Sequence, residues 1–125
     1  MALETSTLDS VIVVWHVAVN ARDADAAAAA CAEDVVLGGP EGESRGRGEL
    51  RRWVEESGIR LMPKEAYDIP GGIVVAQEVT WPGNADRAEE APQRLYTAFG
   101  LRDGEISSIL RYESLDEAKA APIAA

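Results

Sequence analysis

Leu8, Val11, Ile12, Trp15 and Val19 recur at three- and four-residue intervals. That spacing gathers side chains on one face of an α-helix. Ser6 or Thr7 stands where an N-cap belongs, and Val13, Val14 and Val17 widen the stripe, so the pattern predicts a largely buried first helix. Asn20-Ala21-Arg22-Asp23 breaks the period. Asp23 can cap a second helix over Ala24–Ala32, where an alanine run supplies high helix propensity. Val35-Val36-Leu37 reads as a short strand stopped by Gly38-Gly39-Pro40, and the polar, glycine-rich stretch Glu41–Gly48 reads as loop. A third helix is predicted over Glu49–Ser57, with Leu50, Trp53 and Val54 on one side and Gly58 as its C-cap.

Beyond Gly58 the period changes from helical to two. Arg60–Ile69 is a strand broken by Pro63, which confines it to a sheet edge or a bulge. Pro70-Gly71-Gly72 turns the chain into a second strand over residues 73–81. Ile73, Val75, Gln77, Val79 and Trp81 share one of its faces; Val74, Ala76, Glu78 and Thr80 share the other. After a polar loop over Pro82–Pro92, the strand Arg94–Arg102 sets Leu95, Thr97, Phe99 and Leu101 on one face. Asp103-Gly104 is a hairpin signal, Ile106–Tyr112 is the last strand, and Ser114 can cap a closing helical turn through Ala118. Helices first and an antiparallel meander afterwards make an α+β domain. Both faces of strand 73–81 are apolar enough that the outer one is expected to meet another subunit.

At 125 residues the chain is one domain, with a core over about 8–117 and a frayed alanine- and proline-rich tail over 118–125. The formal net charge of −10, from 12 basic and 22 acidic residues, repels phosphate backbones and anionic lipid. Nucleic acid and membrane are therefore not expected partners. Met1–Ser10 holds no Lys or Arg, and Val11–Val14 is too short an apolar run for a secretory leader, so the expected compartment is the cytoplasm. His16 and Cys31, the single histidine and the single cysteine, lack metal-ligand spacing. Gly38–Gly48 matches neither a P-loop nor a dinucleotide fingerprint. Neither a metal nor a cofactor is expected.

The chain resembles the nuclear transport factor 2-like superfamily, in its SnoaL-like and ketosteroid-isomerase-like branch. The likeness is carried in order by Trp15, the corner Asn20-Ala-Arg-Asp-Ala-Asp25, Ala32-Glu-Asp-Val-Val-Leu37, Gly39-Pro40, Gly46-Arg47-Gly48 before Leu50 and Trp53, and Phe99-Gly-Leu-Arg-Asp-Gly104-Glu-Ile106. The resemblance implies a cone: a strongly curved antiparallel sheet (a cystatin-like roll) packed on N-terminal helices, with a pocket at the wide end. It also implies a homodimer through the outer sheet face. Members of the family include isomerases, polyketide cyclases, dehydratases, epoxide hydrolases and non-catalytic proteins, and a shared fold does not choose among them. By the same resemblance, the isomerase base falls on Gly39 and the tyrosine donor on Trp15. The protonated acid falls on Tyr96 or Thr97, so that catalytic set is absent. The paired histidines of the dehydratases cannot be formed with His16 alone.

The residues themselves leave three readings. In the first, the pocket binds a small apolar molecule, with Trp15, Trp53, Gln77, Phe99 and Arg111 as its candidate residues; each aromatic either walls the pocket or fills the core. Gln77 lies amid apolar neighbours and needs a hydrogen-bond partner, which can be a ligand, Arg111 or a water. His16, beside the stripe, is expected to be partly exposed, and Cys31 to be a small buried hydrophobe. The second reading is an enzyme of cyclase or epoxide-hydrolase type. Of the strand carboxylates Glu65, Asp68, Glu78, Glu105 and Glu113, only Glu113 shares Arg111's face in a way that suits such a pair. The third is a non-catalytic interaction module working through the outer face around Glu78 and Tyr112.

Overall fold

The computed structural model describes residues 9–39 and 42–123. Helices α1 (Ser10–Asn20) and α2 (Ala24–Ala29) lead into strands β1 (Cys31–Gly39) and β2 (Gly42–Arg45). Helix α3 (Arg47–Ser57) follows, then β3 (Arg60–Ile69), β4 (Gly72–Thr80), β5 (Gln93–Arg102), β6 (Glu105–Tyr112) and α4 (Leu115–Lys119). The six strands form one curved, unclosed sheet in the order β2-β1-β6-β5-β4-β3. Among the described residues no helix is long and apolar enough to cross a membrane.

The corner at Asn20-Ala-Arg-Asp23 works through two side chains. Asn20 reproduces a strand partner for β3: its Nδ2 donates to the Leu61 carbonyl and its Oδ1 accepts from the Leu61 amide, both at 2.8 Å. Asp23 accepts from the Ala26 amide at 3.0 Å and starts α2. One short motif thus docks α1 on the sheet and turns the chain. Gly58 ends α3 in the left-handed region at φ 64°, and a Cβ there would run into the Gly83 backbone.

Several sequence-based expectations are corrected. The cap of α1 is Asp9, whose carboxylate accepts from Val11; Ser6, Thr7 and Leu8 lie outside the described residues. Its valine stripe is not wholly buried: Val13, Val14 and Val17 are 44%, 54% and 64% exposed, because the sheet reaches only the side holding Ile12, Trp15, His16 and Val19. Helix α2 ends at Ala29, two residues short of Cys31, where β1 takes over. The stretch read as loop contains β2, a hairpin partner of β1. β1 enters the sheet parallel to β6, so one ladder departs from the antiparallel pattern. The reason is the long crossover through α3 and the β3–β5 meander. Pro63 sits where expected, on the outermost strand at a register shift between Pro63 and Glu65.

Alternation along β4 divides the core as the pattern requires. Ile73, Val75, Val79 and the adjoining Trp81 face the helices in the main cluster, and Val74 faces outward. The outer face is not bare. Ala118 of α4 is buried against Val74, Ala98 and Leu110, and Ala121 and Ile123 pack on the same cluster, although composition assigns all three to a frayed tail. Ala124 and Ala125 lie outside the described residues.

Candidate functional site

Between the concave face and the helices lies a cavity of about 1110 Å³. Strands contribute its inner wall through Leu61, Gln77, Leu95, Thr97, Ile109 and Arg111, all placed by period-two alternation. Helices α1 and α3 contribute Trp15 and Trp53, whose rings stack at 6.0 Å and 9°. Trp81 lines it from just beyond β4. Four of the five candidate residues, Trp15, Trp53, Gln77 and Arg111, are therefore brought together. Phe99 is not among the lining residues. It is fully buried and packs edge-on to Trp15 at 5.2 Å, as part of the core behind the wall.

Gln77 finds its partners within the protein. His16, expected at the surface, is buried. Its Nδ1 lies 2.8 Å from the Ile12 carbonyl, an acceptor only, so Nδ1 carries the proton and donates. Nε2 is then a bare acceptor and takes a hydrogen bond from Gln77 Nε2 at 2.9 Å. That fixes the amide orientation, and Gln77 Oε1 accepts from the Thr97 hydroxyl at 2.7 Å. A backbone carbonyl on α1 thus sets the direction of every bond as far as Thr97 at the cavity wall. No sequence signal joins His16 to Gln77 across 61 positions; only curling of the sheet over α1 brings them together.

Burial pushes the His16 pKa below its ordinary value, opposed by the bond to Ile12. The folded pKa therefore lies beneath the unfolded one, near 6.5. Above that pH both states are unprotonated and nothing is gained or lost. Below it the unfolded chain takes up a proton that the folded one refuses, so stability falls as pH falls. Between about pH 7 and about pH 5.5 His16 is expected to lower the stability of the fold. Denaturant titrations of wild type and His16→Gln at both pH values check this; equal losses in the two proteins would exclude His16 as the source.

Arg111 stands directly across the β5–β6 ladder from Thr97. Its guanidinium lies over the Trp53 ring, 5.5 Å from the centroid. Among the described residues no carboxylate comes within 4.0 Å of it, Glu113 included. Desolvation lowers its pKa, and the charge that adds to this effect is another cation, Arg87. Trp15 Nε1 is likewise buried with no acceptor among the described residues. The carboxylates bordering the cavity, Glu43, Glu49, Glu56, Glu113 and Glu117, are exposed apart from half-buried Glu49, which assigns them to its open side.

At Gly39, the position that the family likeness gives to an isomerase base, a Cβ would collide with the Arg111 backbone carbonyl. No carboxylate fits there without moving β6. Cys31 is buried, its thiol pushed up to about 12 chiefly by desolvation, and its Sγ–H donates to Ala27. It is an inert core residue.

A family model described as SnoaL-like domain matches residues 12–109. No curated protein matches the sequence at significance. Among solved structures, the chain is similar to an NTF2-like protein of unknown function from Cytophaga hutchinsonii: 15% identity, TM-score 0.71, covering 87% of this chain and 93% of that one. It is similar to TerC co-crystallised with polyporic acid, at 17% identity and TM-score 0.68, over 84% of this chain and 89% of that one. It also resembles part of the canthaxanthin-binding orange carotenoid protein of Anabaena, at 17% identity and TM-score 0.74, over 94% of this chain but 40% of that one.

Proposed function

Given that this chain belongs to the SnoaL-like domain family, we propose that its cavity binds a small, largely apolar, ring-bearing molecule. The observation carrying this is the cavity wall itself. Leu37, Leu61, Leu95 and Ile109 combine with the half-buried Trp53 face to present apolar surface around about 1110 Å³. Ligand sites are commonly concave, mostly apolar volumes of about 300–1,000 Å³ with few polar groups. The size of this one, measured to its open mouth, suits such a site. Orange carotenoid protein and TerC, solved with organic molecules, share the fold; at their low identity they support the architecture, and the cavity supports the ligand.

The enzyme reading gains less from the geometry. A hydrolase built on Arg111 and Glu113 needs the two groups in contact, and no such ion pair is made. Gln77 is committed on both sides, to His16 and to Thr97, so it positions the wall. A homodimer through the uncovered part of the outer sheet face is the companion proposal. It is supported by half-buried Tyr67 and Tyr96 beside the patch that α4 covers; sedimentation velocity tests it, and a clean monomer would remove it.

Native mass spectrometry of gently purified protein, before and after denaturation, tests the binding. A small molecule released on unfolding is the expected result. In Trp53→Ala the bound fraction is expected to fall by about 10-fold, from the loss of one aromatic wall. Undiminished occupancy in that variant would move the ligand elsewhere.

A further inference from the structure

Three arginines line the cavity, and their surroundings differ. Arg87 is held by Glu90 through two hydrogen bonds of 3.0 Å and lies over Trp81. Arg52 pairs with Glu49 one helical turn away at 3.3 Å. Arg111 has no carboxylate partner among the described residues. It is also the most enclosed of the three. It sits on a central strand between β1 and β5, and its guanidinium is pressed over Trp53.

A desolvated cation without a counter-charge is unfavourable, and proteins ordinarily pair or expose it. Contact with an aromatic face compensates only in part. Arg87 makes the position more positive still. The glutamates that border the cavity, Glu43, Glu56, Glu113 and Glu117, are exposed, and none forms an ion pair with Arg111. The Trp15 Nε1–H is enclosed, which leaves Arg111 as the group to be matched. A cation without a carboxylate partner among the described residues, beside Trp53, Leu95 and Ile109, favours an occupant with an anionic head and an apolar body.

We infer that the cavity takes a ring-bearing organic carboxylate, with its charged head on Arg111 and its apolar body along the wall that includes Trp53 and Ile109. This inference rests on the ligand-binding reading above and adds the charge of the ligand to it. A planar guanidinium suits a carboxylate better than a point charge does, because two parallel N–H groups can meet two oxygens.

The test compares 2-naphthoate with 2-naphthamide, probes of nearly equal shape that differ in charge, by calorimetric titration at low salt. Wild type is expected to bind the carboxylate at least about 10-fold tighter than the amide. In Arg111→Met the preference is expected to shrink to within about 2-fold, and Arg111→Lys should keep part of it. Equal binding of both probes by wild type overturns the carboxylate inference and leaves the pocket reading intact. Binding of neither probe overturns the pocket reading. A thermal melt without ligand supplies an independent readout. Relief of the unpaired cation should raise the midpoint of Arg111→Met by a few degrees; a fall of that size would make Arg111 a structural residue and overturn the inference.

Discussion

Phe99→Ala is expected to destabilise the domain by about 3–5 kcal/mol, near the upper limit for one core truncation. Phe99 is fully buried on the inner side of β5, opposite Ile73 of β4 and Ile109 of β6. Its ring packs edge-on to Trp15 at 5.2 Å and is tilted against His16 at 5.7 Å. Because it does not border the cavity, the space left by truncation has no open path to solvent and its lining loses contacts outright. A domain of this size has about 5–15 kcal/mol in total, so the variant should unfold at markedly lower urea. A loss below about 1 kcal/mol would mean that Phe99 is cavity wall after all.

The second large effect is expected at Gln77. Leucine matches its size but has neither polar atom, so Gln77→Leu leaves His16 Nε2 without a donor and the Thr97 hydroxyl without its acceptor. Each orphaned buried group costs about 1–3 kcal/mol, which gives about 2–4 kcal/mol for the pair once the added apolar burial is counted. Adding Thr97→Val to the Gln77 variant removes one orphan and should return about 1 kcal/mol relative to the sum of the single losses. Guanidinium denaturation of the four proteins in this cycle measures the coupling. Strict additivity would show that the His16–Gln77–Thr97 chain does not act as a unit.

Much of the fold was legible because its signals are local. β3 runs over Arg60–Ile69 as the pattern predicts, its irregularity falls at Pro63, and Gly58 and Ser114 cap where composition places caps. The parts that were not legible depend on distant partners. β2 is four exposed residues, Gly-Glu-Ser-Arg, without apolar alternation, and becomes a strand only because β1 lies beside it. The parallel β1–β6 ladder leaves no trace in either segment's own pattern. Strand parity placed Gln77, Thr97, Phe99 and Arg111 on the inner face together. It could not tell that Phe99 sits under Trp15 while Arg111 lies two residues further along its own strand and opens on the cavity. His16 is buried against the expectation for a related reason: beside the wide valine stripe of α1, nothing local shows which edge the sheet covers.

An unclosed sheet must also live with its two outermost strands. β2 and β3 each carry backbone groups with no neighbour on one side, the surface on which another molecule's strand could zip up. The bulge at Pro63 removes an amide donor and breaks the regular ladder in the middle of β3, with Lys64 and Glu65 beside it. At the opposite end β2 is only four residues long and carries Glu43 and Arg45. Neither rim offers a long, flat, apolar template, so the irregularity at Pro63 also serves as a guard against runaway self-assembly during the life of the folded chain.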